Sequence, residues 1–187
     1  VGDDQKQHLE LCRDIAQKFN NDFKADDFFK VPEPLIQKEF SRIMSLKDGL
    51  KKMSKSEPSD LSRINLTDEK DKIINKIKKA KTDTLPMPSN FEELNNRPEA
   101  KNLLGIYSSL SGTTLDKSIN EFSGKNFSAF KENLSQLIVD KIIPISTEIR
   151  KLLKDENYLD TILLDGSDKA STIASKKVSK IHEIVGF

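Results

Sequence analysis

Apolar residues recur along this chain mainly at three- and four-residue intervals, a spacing that predicts helices. Leu9, Cys12, Ile15, Ala16 and Phe19 share one side of a segment from about 4 to 20, with Glu10, Arg13, Asp14 and Lys18 between them. An amphipathic helix is expected there, with Cys12 on its apolar stripe as a small core residue. Residues 20–34 mix Asn, charges, Pro and three Phe with neither period, which suggests a loop pinned to a surface by its rings. Residues 41–46, Ser-Arg-Ile-Met-Ser-Leu, read as one short strand. A lone strand cannot satisfy its own backbone, so partners outside this chain are expected.

Residues 47–60 show no period and read as a mobile polar loop. A helix over 68–81 places Ile73, Ile74, Ile77 and Ala80 on one face and lysines on the other, with Thr67 as N-cap. A loop containing Pro86 and Pro88 follows. Pro98 then suits a first helical position; Leu103, Leu104, Tyr107 and Leu110 form a stripe, and Gly112 fits a left-handed cap. A short helix over 114–122 comes next. Phe130, Leu134, Leu137, Ile138 and Ile142 line another, which Pro144 is expected to break, with Ile145, Ile149, Leu152 and Leu153 continuing on a following helix. Gly166 is expected to close a short helix over 155–164, and Ser167 to cap a last one carrying Ala170, Ile173, Ala174, Val178, Ile181 and Val185. The fold class is therefore mainly α.

Composition narrows the function classes. The 187 residues contain no apolar run near the ~20 needed to span a membrane. Net charge is only +1, but residues 41–81 hold twelve Lys and Arg against six Asp and Glu, so a polyanion should meet this stretch first. Cys12 is the single cysteine and cannot form an intrachain disulfide; with His8 and His182 it cannot fill a zinc site without carboxylates. A reducing compartment and no metal site are expected. The start, Val1-Gly2-Asp3-Asp4, has neither an initiator Met nor a signal-peptide profile, which suggests a piece of a longer protein.

Two places could carry chemistry. Lys52-Met53-Ser54-Lys55-Ser56 sets two ammonium groups and hydroxyls on a polar loop, either as solvated surface or as charge able to follow a polyphosphate through its transition state. Gly2 to Gln5 puts a glycine, an acid and an amide before a helix, either as an ordinary turn capped by Asp4 or as an approach to an anion or sugar edge. His8 lies one turn into a predicted helix, and His182 reads as surface. The lysines of 70–81 read as solvated charge or, beside an RNA, as phosphate contacts.

The order of residues adds a resemblance. Lys52-Met53-Ser54-Lys55-Ser56, followed by Glu57-Pro58-Ser59-Asp60, resembles the second signature of class I aminoacyl-tRNA synthetases, whose lysines stabilise the pyrophosphate leaving group. Gly2-Asp3-Asp4-Gln5-Lys6-Gln7-His8 is similar to the Gly-x-Asp-Gln-x-x-His stretch of the tryptophanyl and tyrosyl enzymes, closest to the bacterial and organellar tryptophanyl form. Phe29-Lys30-Val31-Pro32-Glu33-Pro34, Arg42-Ile43-Met44-Ser45-Leu46, Lys79-Ala80-Lys81-Thr82-Asp83 and residues 166–187 extend the likeness over nearly the whole chain. Asp3 where Glu is usual, Cys12 where Ser or Thr is usual, and Lys38-Glu39-Phe40 in place of small residues depart from it.

The resemblance implies the C-terminal half of a tryptophanyl-tRNA synthetase: residues 1–66 as the end of a Rossmann-type catalytic domain and 67–187 as an all-helical anticodon-binding domain. It implies ATP with Mg2+ as cofactors, tryptophan and tRNA(Trp) as substrates, a homodimer at full length, no membrane partner, and a bacterial cytoplasmic or organelle-matrix location. Gly2 and Asp4 would approach the ATP ribose and Gln5 the amino-acid end of tryptophan. Ile43 and Met53 would flank adenine, while Lys52, Ser54 and Lys55 would hold phosphates. The chain alone would be inactive, lacking the upstream His-x-Gly-His. The alternatives are a non-catalytic RNA-binding or scaffold module and a tyrosyl relative.

Overall fold

A computed structural model describes Gly2, residues 5–35 and residues 42–187. Asp3, Asp4, residues 38–40 and the first residue of the expected strand lie outside the described residues. The chain divides into two compact units, one from Val1–Ser41 with Lys151–Phe187 and one from Arg42–Arg150.

In the first unit, helix α1 (Lys6–Asp22) forms where its period predicts. Its stripe is not a core, however: Ala16 is the buried residue, while Leu11, Ile15 and Cys12 are exposed. Cys12 is thus corrected from core to surface, because the rings that α1 meets gather only at its end. There Phe19 stacks on Phe23, Phe28 and Phe29 with centroids 4.9 to 5.5 Å apart. The Asn20 amide donates to the Phe29 carbonyl at 2.9 Å and accepts its N–H at 3.0 Å, so one side chain folds the loop back. Lys177 donates to the Phe28 carbonyl and stands 4.0 Å over its ring.

Lys177 belongs to the last helix of the chain, which runs unbroken over Glu156–Val185 with Asp155 as N-cap. The expected break at Gly166 is absent. Glycine costs a helix only about 1 kcal/mol, and Asp165 and Lys169 bridge the position at 2.6 Å. Its stripe is exposed, Ile173 at 72%.

The second unit holds the core. Pro98 opens a helix over Pro98–Ser111, and Gly112 ends it at φ 69°, both as the sequence predicts. Helix Leu115–Phe122 is capped by Thr114, whose hydroxyl accepts from the Lys117 N–H. Leu103, Leu104, Phe122, Phe130, Leu134 and Ile138 are buried together with Ile73 and Ile77, and Tyr107, Phe122 and Phe130 meet ring to ring. Phe130, Leu134 and Ile138 come from a long helix, Phe127–Leu152, that passes through Pro144. Proline denies the Asp140 carbonyl its helical donor, yet the flanking turns are held by buried Val139 and by Ser146, whose hydroxyl donates to the Asp68 carbonyl at 3.4 Å. The helix over Lys70–Lys78 begins after Glu69, two residues later than a Thr67 cap would place it. A short helix over Phe91–Asn95, capped by Asn90, was hidden in polar sequence. In chain order these helices are α2 (Lys70–Lys78), α3 (Phe91–Asn95), α4 (Pro98–Ser111), α5 (Leu115–Phe122), α6 (Phe127–Leu152) and α7 (Glu156–Val185).

The expected strand also changes. Strand β1 (Met44–Ser45) pairs antiparallel within the chain with β2 (Asp48–Lys52), a segment that composition marks as irregular. The strand forms because its pairing and supports come from elsewhere in the chain, as described next.

Candidate functional site

The hairpin turns at Leu46-Lys47, and its register places Met44 opposite Lys52 and Ser45 opposite Asp48, with a bulge between. Met53 N–H donates to the Ile43 carbonyl at 3.0 Å, extending the ladder by one step. That bond sets Ile43 beside Met53, and both line an apolar cavity of about 220 Å³ with Leu46, Ile64, Ile77 and Ile106. Lys52 ends β2. The Ser56 N–H donates to Ser54 Oγ, and the two serine hydroxyls lie 2.8 Å apart, so the chain doubles over and leaves Lys55 exposed at the turn. Ile43, Lys52, Met53, Ser54 and Lys55 are therefore brought together by one hairpin.

Gly2 and Gln5 belong to the first unit. The Gly2 carbonyl accepts the Gln5 N–H at 3.0 Å, and Gln5 stands at the N-cap of α1. Asp4 lies outside the described residues. His8 and His182 are exposed.

Three contacts hold the hairpin against the helices. The buried Asn102 side chain of α4 accepts the Met44 N–H at 2.9 Å and donates to the Met44 carbonyl at 2.8 Å, serving as the missing neighbour strand. Leu46, 2% exposed, donates its N–H to the Ser62 carbonyl and accepts from Lys81 N–H. Gly49 touches the first turn of α4 so closely that a Cβ there would lie 2.6 Å from the Pro98 carbonyl carbon and the Glu99 nitrogen. Close by, Lys81 pairs with Glu99 at 2.8 Å, which lowers the Glu99 pKa and raises that of Lys81.

Downstream, the chain runs into a short 3-10 helix, Asp60–Ser62, and an ionic cluster that sequence reasoning missed. Lys76 of α2, placed by its period among solvated lysines, has a side chain only 1% exposed and pairs with equally buried Asp68. Lys76 also reaches Asp60 at 2.9 Å, and Lys72 bridges Asp60 at 2.8 Å and Asp68 at 3.0 Å. Asn65 donates its amide to Asp60 at 2.9 Å, and its N–H to Asp68 at 2.9 Å. Two lysines thus face two carboxylates. Hydrogen bonds from Lys72, Lys76 and Asn65 hold Asp60 well below the usual carboxylate range. Burial pushes Asp68 up, but bonds from Lys76, the Asn65 backbone and Lys72 outweigh it and leave the group lowered. Lys72 is raised by the same two carboxylates. The i, i+4 spacing of Asp68 and Lys72 was the visible signal; the return of Asp60 onto α2 was not.

Arg63 closes the segment. Its guanidinium donates to the Glu57 carbonyl at 2.8 Å and to Asn65 Oδ1 at 3.2 Å, and lies 3.5 Å from Asp60.

This arrangement suits charge placement on a flexible phosphate chain beside an apolar slot, with two ammonium groups and a hydroxyl around Met53 in the sequence, one of the residues that line it. Comparison with known proteins agrees. The family described as tRNA synthetases class I (W and Y) matches residues 1–140. A tryptophan–tRNA ligase of Caulobacter vibrioides is 51% identical over 187 residues, all of this chain and 54% of that relative. The structure of tryptophanyl-tRNA synthetase from Mycoplasma pneumoniae superposes with TM-score 0.84 at 28% identity, covering 100% of this chain and 55% of that one. That from Campylobacter jejuni, complexed with ADP and tryptophan, gives 0.67 at 28% identity over 100% and 56%. The chain spans about half the length of the curated relatives it matches. With the Lys-Met-Ser-Lys-Ser hairpin in place and the family matched over residues 1–140, the chain belongs to the class I tRNA synthetases of the W and Y family.

Proposed function

We propose that this chain is the C-terminal half of a bacterial-type tryptophan–tRNA ligase. The observation that carries the reading is the hairpin that sets Ile43 beside Met53 and delivers Lys52, Ser54 and Lys55 directly after them. The 51% identity to the Caulobacter ligase supports tryptophan over tyrosine. A carboxylate oxygen of tryptophan attacks the α-phosphorus of ATP, the bond to the β-phosphate breaks, and pyrophosphate leaves. The tryptophanyl group then passes to a ribose hydroxyl at the 3' end of tRNA(Trp), releasing AMP.

Ile43 and Met53 sandwich the adenine on its apolar side, and Gly2 and Asp4 approach the ribose. Gln5 holds the amino-acid end of tryptophan. Lys52 and Lys55, with the Ser54 hydroxyl, follow the negative charge that grows on the leaving pyrophosphate. The phosphates that Lys52, Ser54 and Lys55 hold would bring Mg2+ with them, which would offset part of their charge. Residues 1–66 end the catalytic domain and 67–187 form the helical tRNA-binding domain. The full-length protein is a homodimer of the bacterial cytoplasm or an organelle matrix.

The test is ATP–pyrophosphate exchange by the protein extended to the length of its relatives, with one amino acid at a time. Exchange with tryptophan alone is expected, and background exchange from the 187 residues by themselves. Exchange with tyrosine refutes the specificity; no exchange while tRNA still binds leaves a non-catalytic RNA-binding module.

A further inference from the structure

We propose that Asp60 and Arg63 form a latch that anchors the downstream end of the Lys52–Ser56 loop and so positions Lys55 for amino-acid activation. The inference rests on the functional reading above. At the loop's upstream end, Met53 is fixed by the bond to Ile43. At its downstream end, both Asp60 oxygens are occupied, one by Lys72 and Lys76, the other by Asn65 with Arg63 beside it. Arg63 then reaches back to the Glu57 carbonyl, one residue beyond the signature. Ser62 secures the same turn by donating its hydroxyl to the Ser59 carbonyl at 2.7 Å. Only residues 54–56 remain between the two anchors.

The division of labour within the cluster gives Asp60 a role separate from folding. Lys76 and Asp68 are buried and compensate each other, so they hold α2 in place without Asp60. Asp60, by contrast, is 41% exposed. Its ion pairs therefore add a tether to a helix that is already stable. A loop tied at both ends samples fewer arrangements, so less order must be imposed when Lys55 meets the transition state. Neither Asp60 nor Arg63 touches the phosphates in this view; both act through Lys55, since Lys52 is already held in β2 opposite Met44.

The experiment uses the protein extended to its relatives' length and measures pyrophosphate exchange for Asp60→Ala, Arg63→Gln and Lys55→Ala, singly and as the doubles with Lys55→Ala. Asp60→Asn, which keeps the shape and loses the charge, serves where the alanine variant does not fold. Asp60 and Arg63 variants should lower kcat/KM for ATP about tenfold with the tryptophan KM unchanged. In the Lys55→Ala background the same changes should cost little more, because the group they position is gone. Unchanged exchange in the Asp60 and Arg63 variants, or an equal loss with and without Lys55, overturns the latch alone. Unchanged exchange in Lys55→Ala overturns the proposed function and the latch with it.

Discussion

Replacing Asn102 by alanine removes the amide that stands in for a strand beside β1. Two hydrogen bonds go with it, to the N–H and the carbonyl of Met44. Each is a neutral bond with a net value of about 1 kcal/mol. Met44 is half-buried, so water recovers part of the penalty of leaving its backbone unpaired. The expected loss is therefore about 2 kcal/mol. With a urea slope of roughly 2 kcal/mol per molar for a domain of this size, the denaturation midpoint should fall by about 1 M. Asn102→Asp provides the control: a carboxylate can still accept from the Met44 N–H but repels the Met44 carbonyl, so its loss should be at least as large. Urea melts at neutral pH, read by circular dichroism, give both numbers. A midpoint in Asn102→Ala within about 0.2 M of the parent would show that the hairpin does not depend on this amide.

Lys76→Met leaves Asp68 buried without its main partner and should cost about 3–5 kcal/mol, most of it regained in Lys76→Met/Asp68→Leu; urea melts of the single and double variants check this. Gly49→Ala pushes a Cβ against α4 backbone that cannot yield, and should cost about 1–3 kcal/mol by the same measurement. Asp60, Asp68 and Glu99 all have folded pKa values below their unfolded ones. Their stabilisation is fully present above the unfolded value of about 4 and is lost as pH falls through the folded values beneath it. Tm should accordingly fall steeply below that pH, and less steeply in Asp68→Asn. Lys55→Ala in the full-length protein should slow activation by about 3 kcal/mol, roughly a hundredfold, without raising the tryptophan Kd; pyrophosphate exchange with a tryptophan titration decides.

What the sequence made legible were features decided within a few residues. Pro98, Gly112 and Thr114 mark helix ends because proline, glycine and threonine act there through their own backbone or side chain. The stripe Phe130, Leu134, Ile138 predicted burial because α6 packs along one face. The signature at Lys52–Ser56 stood out by residue order. Features decided at a distance were not legible. β1 is held by Asn102 and Lys-rich β2 by the first turn of α4, both some fifty residues on, and Lys76 became a core residue through carboxylates from two other segments. Pro144 and Gly166 mislead for the opposite reason: each carries a real local penalty that surrounding contacts exceed. The stripes of α1 and α7 predicted helices correctly but not burial, since periodicity reveals that a face is apolar and not what stands opposite it.

The contact at Gly49 makes the first turn of α4 a mould for the strand that leads into the signature. There is no space between the Gly49 α-carbon and the Pro98–Glu99 peptide for any side chain, so the strand's path is dictated by the exact position of that helix end. A signature hairpin transplanted from one relative into another would therefore carry its shape only if residues 98–102 travelled with it. Chimeras that exchange residues 42–60 alone should fold with misplaced lysines, whereas those that exchange both segments should restore activity.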